Sequence, residues 1–231
     1  MTTAPTTTWP FGHAPYAQCL IVAFTGRAGA GKDSAAKALA DVHNFQTIAF
    51  ADALRREISA AWRIDERMLT HRPTKELPLP ALAVGMCGEP AFISWCFESG
   101  LSLHEARSPR WVLQQWASYQ RRFRPDHYAA IVAAWVRRQF GTGFRHVAIT
   151  DLRDPIELAT LSALGAPLHV VRVHSSRAIR LADDTAHHSS ERHQLPADHD
   201  IQNEGSLDAL AEAVLGLPFI QAVAAPKRRS A

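Results

Sequence analysis

Apolar runs of strand length alternate with helical periodicities along most of the chain. Residues 19–25 are β-branched and apolar, the pattern of a strand buried on both faces. Residues 33–42 are rich in Ala, Lys and Leu and predict a first helix. Residues 45–50 predict a second short strand ending in Ala51-Asp52, and residues 53–62 a helix with Leu54, Ile58 and Ala61 on one face. From 63 to 108 the periodicity breaks down. Pro73, Pro78, Pro80 and Pro90 interrupt it, while Trp95 and Phe97 imply a partly packed insertion rather than a disordered linker.

Ser108 followed by Pro109 is a helix start, and the pattern continues helical to Phe123. Asp126 caps another helix running to about Phe140, with Tyr128, Val132 and Trp135 as its core face. Residues 147–150 predict a third strand ending at Asp151, and Asp154-Pro155 opens a helix that closes before Gly165. Residues 168–173 predict a fourth strand, 175–181 a short helix, 199–202 a last strand and 206–215 a last helix. The Thr- and Pro-rich stretch 1–17 reads as a loose arm pinned by Trp9, Phe11 or Tyr16, and 219–231 as a solvated tail. Strands alternating with helices predict a three-layer α/β/α fold: a mostly parallel central sheet with helices on both faces. The main domain is expected over 18–218.

The chain has 231 residues, 47% apolar and 20% charged, enough for one compact domain with an inserted lobe. Its formal charge is only +3, and its arginines are scattered among carboxylates, which argues against a dedicated nucleic-acid binder. Three cysteines without a Cys-x-x-Cys argue against a disulfide framework or a zinc site. No apolar run approaches the length of a membrane span, and a reducing cytoplasm is the expected compartment. A homodimer is left open.

The chemistry begins with the loop between the first strand and the first helix. Gly26, Gly31 and Lys32 stand at the G-x-x-x-x-G-K spacing of a phosphate-binding loop. Small residues, here Gly26, Ala28, Gly29, Ala30 and Gly31, let the backbone curl until several N–H groups share one concavity. The helix that follows adds its positive end, and the Lys32 ammonium supplies a full charge. The strict pattern has Ser or Thr after the lysine. Here Asp33 intervenes and the hydroxyl comes at Ser34, so Mg²⁺ is expected to be held through water by Asp33 and Ser34.

Other groups fit the same theme. The strand ending Thr150-Asp151 carries Arg153 two residues on, at the edge where open α/β sheets bind ligands. Arg110, Arg121 and Arg122 form one cationic set, and Arg172, Arg177 and Arg180 another, of the kind that positions and neutralises a moving phosphoryl group. Residues 182–196, polar and containing His187, His188 and His193, suit a lid rather than a zinc site.

Taken in order, several motifs resemble those of the bacteriophage deoxynucleoside monophosphate kinases. They are the loop ending Gly31-Lys32-Asp33-Ser34, Phe50-Ala51-Asp52-Ala53-Leu54-Arg55, and Arg110 with Leu113, Gln114 and Arg122. Thr150-Asp151-Leu152-Arg153 with Glu157, His188-Ser189-Ser190-Glu191 and Asn203-Glu204-Gly205-Ser206 complete the series. The resemblance spans about residues 20–215. It implies a nucleoside-monophosphate-kinase-like fold, ATP and Mg²⁺ as cofactors, and a small-molecule acceptor, a deoxynucleoside monophosphate. For a phage-encoded enzyme the compartment is the host cytoplasm.

Carried over by position, the resemblance implies that Gly29, Gly31, Lys32, Asp33 and Ser34 hold the ATP phosphates and Mg²⁺, with Gly26, Ala28, Ala30 and Arg177 also on the ATP side. Asp52, Arg55, Arg110, Gln114, Asp151, Arg153 and Glu157 would form the acceptor site, with 63–108 contributing to that region. Arg177, His188 and Glu191 would belong to the lid, over 175–196. Lys32, Asp151, Arg153 and Arg177 would be catalytic. The chain has Ala117-Ser118-Tyr119 where that family has Gly-Thr-Glu, and Arg55 where it has Lys, differences that bear on acceptor choice. Alternatives are a kinase of phosphomevalonate or dephospho-coenzyme A type, and a nucleotide-binding protein without turnover.

Overall fold

The structure, a computed structural model, describes residues 15–176 and 195–224. These divide into two compact units, Met1–Phe50 with Val132–Ala231 and Ala51–Ile131.

The first unit is built on a five-stranded sheet in the order β2-β3-β1-β4-β5. Its strands are β1 (Leu20–Thr25), β2 (Gln46–Ile48), β3 (His146–Ile149), β4 (Leu168–His174) and β5 (His199–Gln202). Every neighbouring pair is parallel, with Val22 of β1 in register with Ala148 of β3 and His169 of β4. A parallel sheet needs a crossover between strands, which is why helical segments separate them. All six residues of β1 are buried, as a central strand requires.

Leu20, Val22 and Phe24 join one core with Ala35, Ala36 and Leu39 of α1 (Lys32–His43). Leu210 and Val214 of α8 (Leu207–Leu215) and Ile220 of α9 (Pro218–Ala224) complete it. Ile21 and Ala23, which point to the opposite face by strand alternation, are fully buried too, so both faces are covered. Each large side chain so buried contributes about 1.5–3 kcal/mol to the unit's stability. α6 (His127–Gly141), over most of its length, and α7 (Pro155–Ser162) belong to the same unit. In α6, Tyr128 and Val132 are buried as expected, joined by Val136 and Phe140, while Trp135 is only half-buried, so the core face is turned slightly from the one expected. The Tyr16 ring packs on Phe140 at 5.1 Å, the pinning contact foreseen for the arm.

Two boundaries differ from the sequence reading. Residues 218–224 are helical and Ile220 is fully buried, whereas the pattern suggested solvated tail. α2 (Phe50–Trp62) begins where the second strand was expected to end. Its first N–H groups need acceptors. Asp151, distant in sequence, accepts from the Phe50 N–H at 2.6 Å, and this turns Phe50 from strand end into helix start.

The second unit comprises most of α2, with α3 (Arg67–Thr70), α4 (Pro90–Glu98), α5 (Pro109–Phe123) and the first turn of α6. Residues 63–108 lie within it. Its core is aromatic: Trp62, Phe92, Trp116 and Tyr119 pack with ring centroids 5.0–5.9 Å apart. The prolines do not leave this region disordered, because short 3₁₀ turns over Pro80–Leu82 and Val84–Met86 tie into it. Trp62 Nε1 donates to the Ala83 carbonyl (3.1 Å), and the Gly85 N–H to that of Leu103 (2.8 Å). Ser108 accepts from the Trp111 N–H (3.2 Å) and Pro109 occupies the first turn, the expected start of α5.

A carboxylate organises the helices of this unit. Glu57 Oε2 accepts from Trp116 Nε1 (2.9 Å) and the Tyr128 hydroxyl (3.1 Å), and Oε1 accepts from His127 Nε2 (2.6 Å). Burial, then the Glu57 charge, push the Tyr128 hydroxyl well above the usual phenol range. No helix among the described residues is long and apolar enough to cross a membrane.

Candidate functional site

Because the sheet is parallel, all its strands end at one edge, and the first unit's chemistry collects there. Thr25 ends β1, and the chain enters the loop at Gly26, whose φ is +131°. A Cβ at Gly26 would meet the Val173 carbonyl oxygen at 2.3 Å, so the loop leaves β1 flush against β4. Gly29 (φ +78°) and Gly31 (φ +103°) carry the remaining left-handed turns. Arg27, Ala28 and Gly29 are exposed at the loop's tip and Ala30 is buried beneath it.

Lys32 opens α1 and is 7% exposed. Its Nζ donates to the carbonyls of Gly26 (2.9 Å) and Arg27 (2.8 Å), placing the ammonium inside the curl of the loop. α1 has no side-chain cap, and its first N–H groups and positive end face the same region. A fixed ammonium, a helix N-terminus and a glycine-built turn are the groups from which an anion site can be built.

The oxygen donors at this end of α1 are Asp33, exposed in the first turn, and Ser34, half-buried. Mg²⁺ keeps several waters and takes few protein oxygens when it travels with phosphates. Asp33 and Ser34 fit that requirement, and they would hold the ion together with the nucleotide. Among the described residues, no cluster of three or more His, Cys, Asp or Glu side chains is arranged to bind a metal on its own.

Asp151 and Arg153 follow β3 at the same edge as the loop. The Leu152 N–H donates to the Phe24 carbonyl (3.0 Å), continuing the ladder past the end of β3. Glu157, expected beside the acceptor, is 6% exposed and committed to the backbone. Its Oε2 accepts from the N–H of Arg153 (2.9 Å) and of Asp154 (3.0 Å). With Asp154 accepting from the Ile156 N–H (2.8 Å), it closes a capping box on α7. Glu157 thus fixes the backbone that carries Arg153.

The other residues expected on the acceptor side fall in the second unit. Asp52 and Arg55 pair across one turn of α2 at 2.6 Å, an interaction of about 0.2–0.5 kcal/mol at this spacing. Arg110, in the first turn of α5, is ion-paired with Glu76. Gln114 is half-buried one turn further along the same helix face. Arg122 lies over the rings of Phe123 (4.3 Å), Tyr119 (5.3 Å) and Trp95 (5.5 Å), and Arg121 over Tyr128 (5.7 Å). Arg172 pairs with Asp200 at 3.8 Å and donates to the Leu195 carbonyl, so it serves the β4–β5 edge. Arg177, Arg180, His188 and Glu191 lie outside the described residues.

Two residues gain a place that residue type alone did not give them. Asn203, just past β5, donates from Nδ2 to the Ala30 carbonyl (2.8 Å). Glu204 accepts from the Ser176 N–H (2.7 Å) and from its hydroxyl. The signal available was the Asn-Glu-Gly-Ser quartet, but nothing local tied it to the loop.

No protein-family model matches the sequence, and no curated protein matches it. Solved structures are similar in fold. A protein from Thermus thermophilus, TT1252, shares 15% identity over 88% of this chain and 98% of that one, with a TM-score of 0.48. A sugar kinase from a Janibacter species shares 14% over 90% and 99%, with a TM-score of 0.45. A dephospho-CoA kinase from Campylobacter jejuni shares 12% over 88% and 96%, with a TM-score of 0.45. These likenesses concern fold alone. What the chain's own geometry gives is the α/β fold of phosphate-loop proteins, with a glycine loop and a buried lysine after the central strand of a parallel sheet.

Proposed function

We propose that the protein is a phosphate-loop kinase that transfers the γ-phosphoryl group of ATP to a small acceptor, a deoxynucleoside monophosphate. The observation that carries this reading is the Lys32 ammonium held inside the curl of residues 26–32 at the head of α1. Phosphoryl transfer asks a protein mainly for positioning and positive charge. Lys32 and the loop N–H groups supply both toward the β- and γ-phosphates. Asp33 and Ser34 would hold Mg²⁺, which would supply charge that neutralises the phosphates. Arg153 is carried to the same edge by the Glu157-braced backbone. An acceptor phosphate oxygen forms the new bond to phosphorus while the bond to the β–γ bridging oxygen breaks, leaving ADP.

The nucleotide acceptor is supported by the ordered motifs, with Asp52, Arg55, Arg110, Gln114, Asp151 and Arg153 on the acceptor side and Arg177, His188 and Glu191 on the lid side. The test is a panel of the common deoxynucleoside monophosphates and modified ones with Mg-ATP, reading diphosphate formation directly. At least one is expected to be phosphorylated, and Lys32→Ala is expected to lower that rate by 10²-fold or more, on the order of one lost charge-stabilising donor. Phosphorylation of none of them refutes the proposal.

A further inference from the structure

Asn203 is fixed twice. Its backbone N–H donates to the His174 carbonyl (2.8 Å), extending the β4–β5 ladder, so the sheet sets the position of its Cα. Its side-chain Nδ2 then reaches the Ala30 carbonyl at 2.8 Å. The carboxamide lies directly over Gly31, where an added Cβ would stand 2.4 Å from Nδ2.

A trans peptide is planar, with its carbonyl and N–H pointing in opposite directions. The bond that draws the Ala30 carbonyl toward Asn203 therefore turns the Gly31 N–H away from it. The neighbouring carbonyls are likewise engaged. Lys32 takes those of Gly26 and Arg27, and the Ala35 N–H takes that of Gly31 at 2.9 Å. A loop that is to bind an anion must withdraw its oxygens and present its N–H groups, and the Ala30 carbonyl is withdrawn by a side chain from the far end of the chain.

We infer that Asn203 is a positioning residue for the nucleotide: it orients the Ala30–Gly31 peptide so that the Gly31 N–H, not the Ala30 oxygen, is presented to phosphate. This rests on the phosphate-loop kinase reading above and extends it to a residue outside the loop. Its effect falls on the nucleotide and not on the acceptor.

Asn203→Asp keeps the size of the side chain, replaces the donor by an acceptor and sets a negative charge beside the phosphate site. Asn203→Ser keeps a shorter hydroxyl donor and serves as the milder variant. Binding of Mg-ADP to the full chain is measured by titration calorimetry, alongside unfolding midpoints and KM values for ATP and for the acceptor. The Kd for Mg-ADP is expected to rise about tenfold in Asn203→Asp and less in Asn203→Ser, of the order of one hydrogen bond. KM for ATP should rise in parallel, and KM for the acceptor should stay within about twofold. Folded variants that bind Mg-ADP as tightly as the unsubstituted protein, or that lose both substrates equally, overturn the inference and leave the kinase reading standing. An unsubstituted protein that binds no Mg-ADP overturns both.

Discussion

Gly26 and Gly31 share a positive φ yet are constrained by different neighbours. At Gly26 the obstacle to a Cβ is the Val173 carbonyl oxygen, part of β4 itself, at 2.3 Å. At Gly31 it is the terminal amide of Asn203 at 2.4 Å, with Cδ2 of the buried Leu210 at 3.1 Å. Gly26→Ala is therefore expected to cost stability, about 1–3 kcal/mol or more from backbone strain with the clash added, seen in urea unfolding. Gly31→Ala is expected to cost less stability and to weaken Mg-ADP binding at least tenfold, of the order of one lost hydrogen bond, by displacing Asn203. The glycines and Lys32 were legible in the sequence because their arrangement is local, all within one turn. The role of Asn203 was not, since its partner Ala30 stands 173 positions away. Glu157 is the converse. Asp154-Pro155-Ile156-Glu157 has capping-box spacing, so its helix-starting use was readable although the family likeness pointed toward the acceptor.

Among the elements, α2 shows what sequence periodicity leaves out. Its helical face was visible from Leu54, Ile58 and Ala61, but its first turn depends on Asp151 accepting from Phe50 across the fold. α9 escaped notice because its apolar residues follow Pro218 in too short a run, and only contact with the sheet core makes Ile220 a core residue. Glu57 on α2 could not be told from a solvated glutamate, because its partners Trp116, His127 and Tyr128 come from two later helices. Glu57→Leu leaves the Trp116 indole N–H and the Tyr128 hydroxyl, both in buried residues, without their acceptor. Each such orphaned group costs about 1–3 kcal/mol. Chemical denaturation of Glu57→Leu should therefore show a loss of a few kcal/mol, with Glu57→Gln intermediate because its amide oxygen retains one acceptor.

For the molecule as a whole, the α/β class was readable from the alternation of strands and helices. The separate aromatic core of residues 51–131 was not, because Trp62, Phe92, Trp116 and Tyr119 are dispersed among proline-rich breaks. Acid sensitivity is a property at this scale. His169 stacks on Phe219 at 3.9 Å, and burial lowers its pKa from the ordinary 6.5, with Asp198 opposing and His199 adding to the shift. Burial lowers that of His146 as well, with a hydrogen bond to the His43 backbone opposing and the His43 side chain adding to the shift. For a base whose folded-state pKa is depressed, the unfolded chain binds the proton first, so stability is full above 6.5 and falls as pH drops below it. The unfolding midpoint should decline from pH 7 toward pH 5, and His169→Phe should make that decline shallower. The split of the first unit into residues before 51 and after 131 also sets an order of events on the ribosome. Leu20–Thr25 emerges early, but its partners in β3 begin only at His146. At ordinary translation speeds the most apolar segment waits on the order of ten seconds for its mates, while the whole of 51–131 is synthesised. The nascent chain's vulnerability to aggregation is thus concentrated in β1, the strand that later leads into the glycine loop.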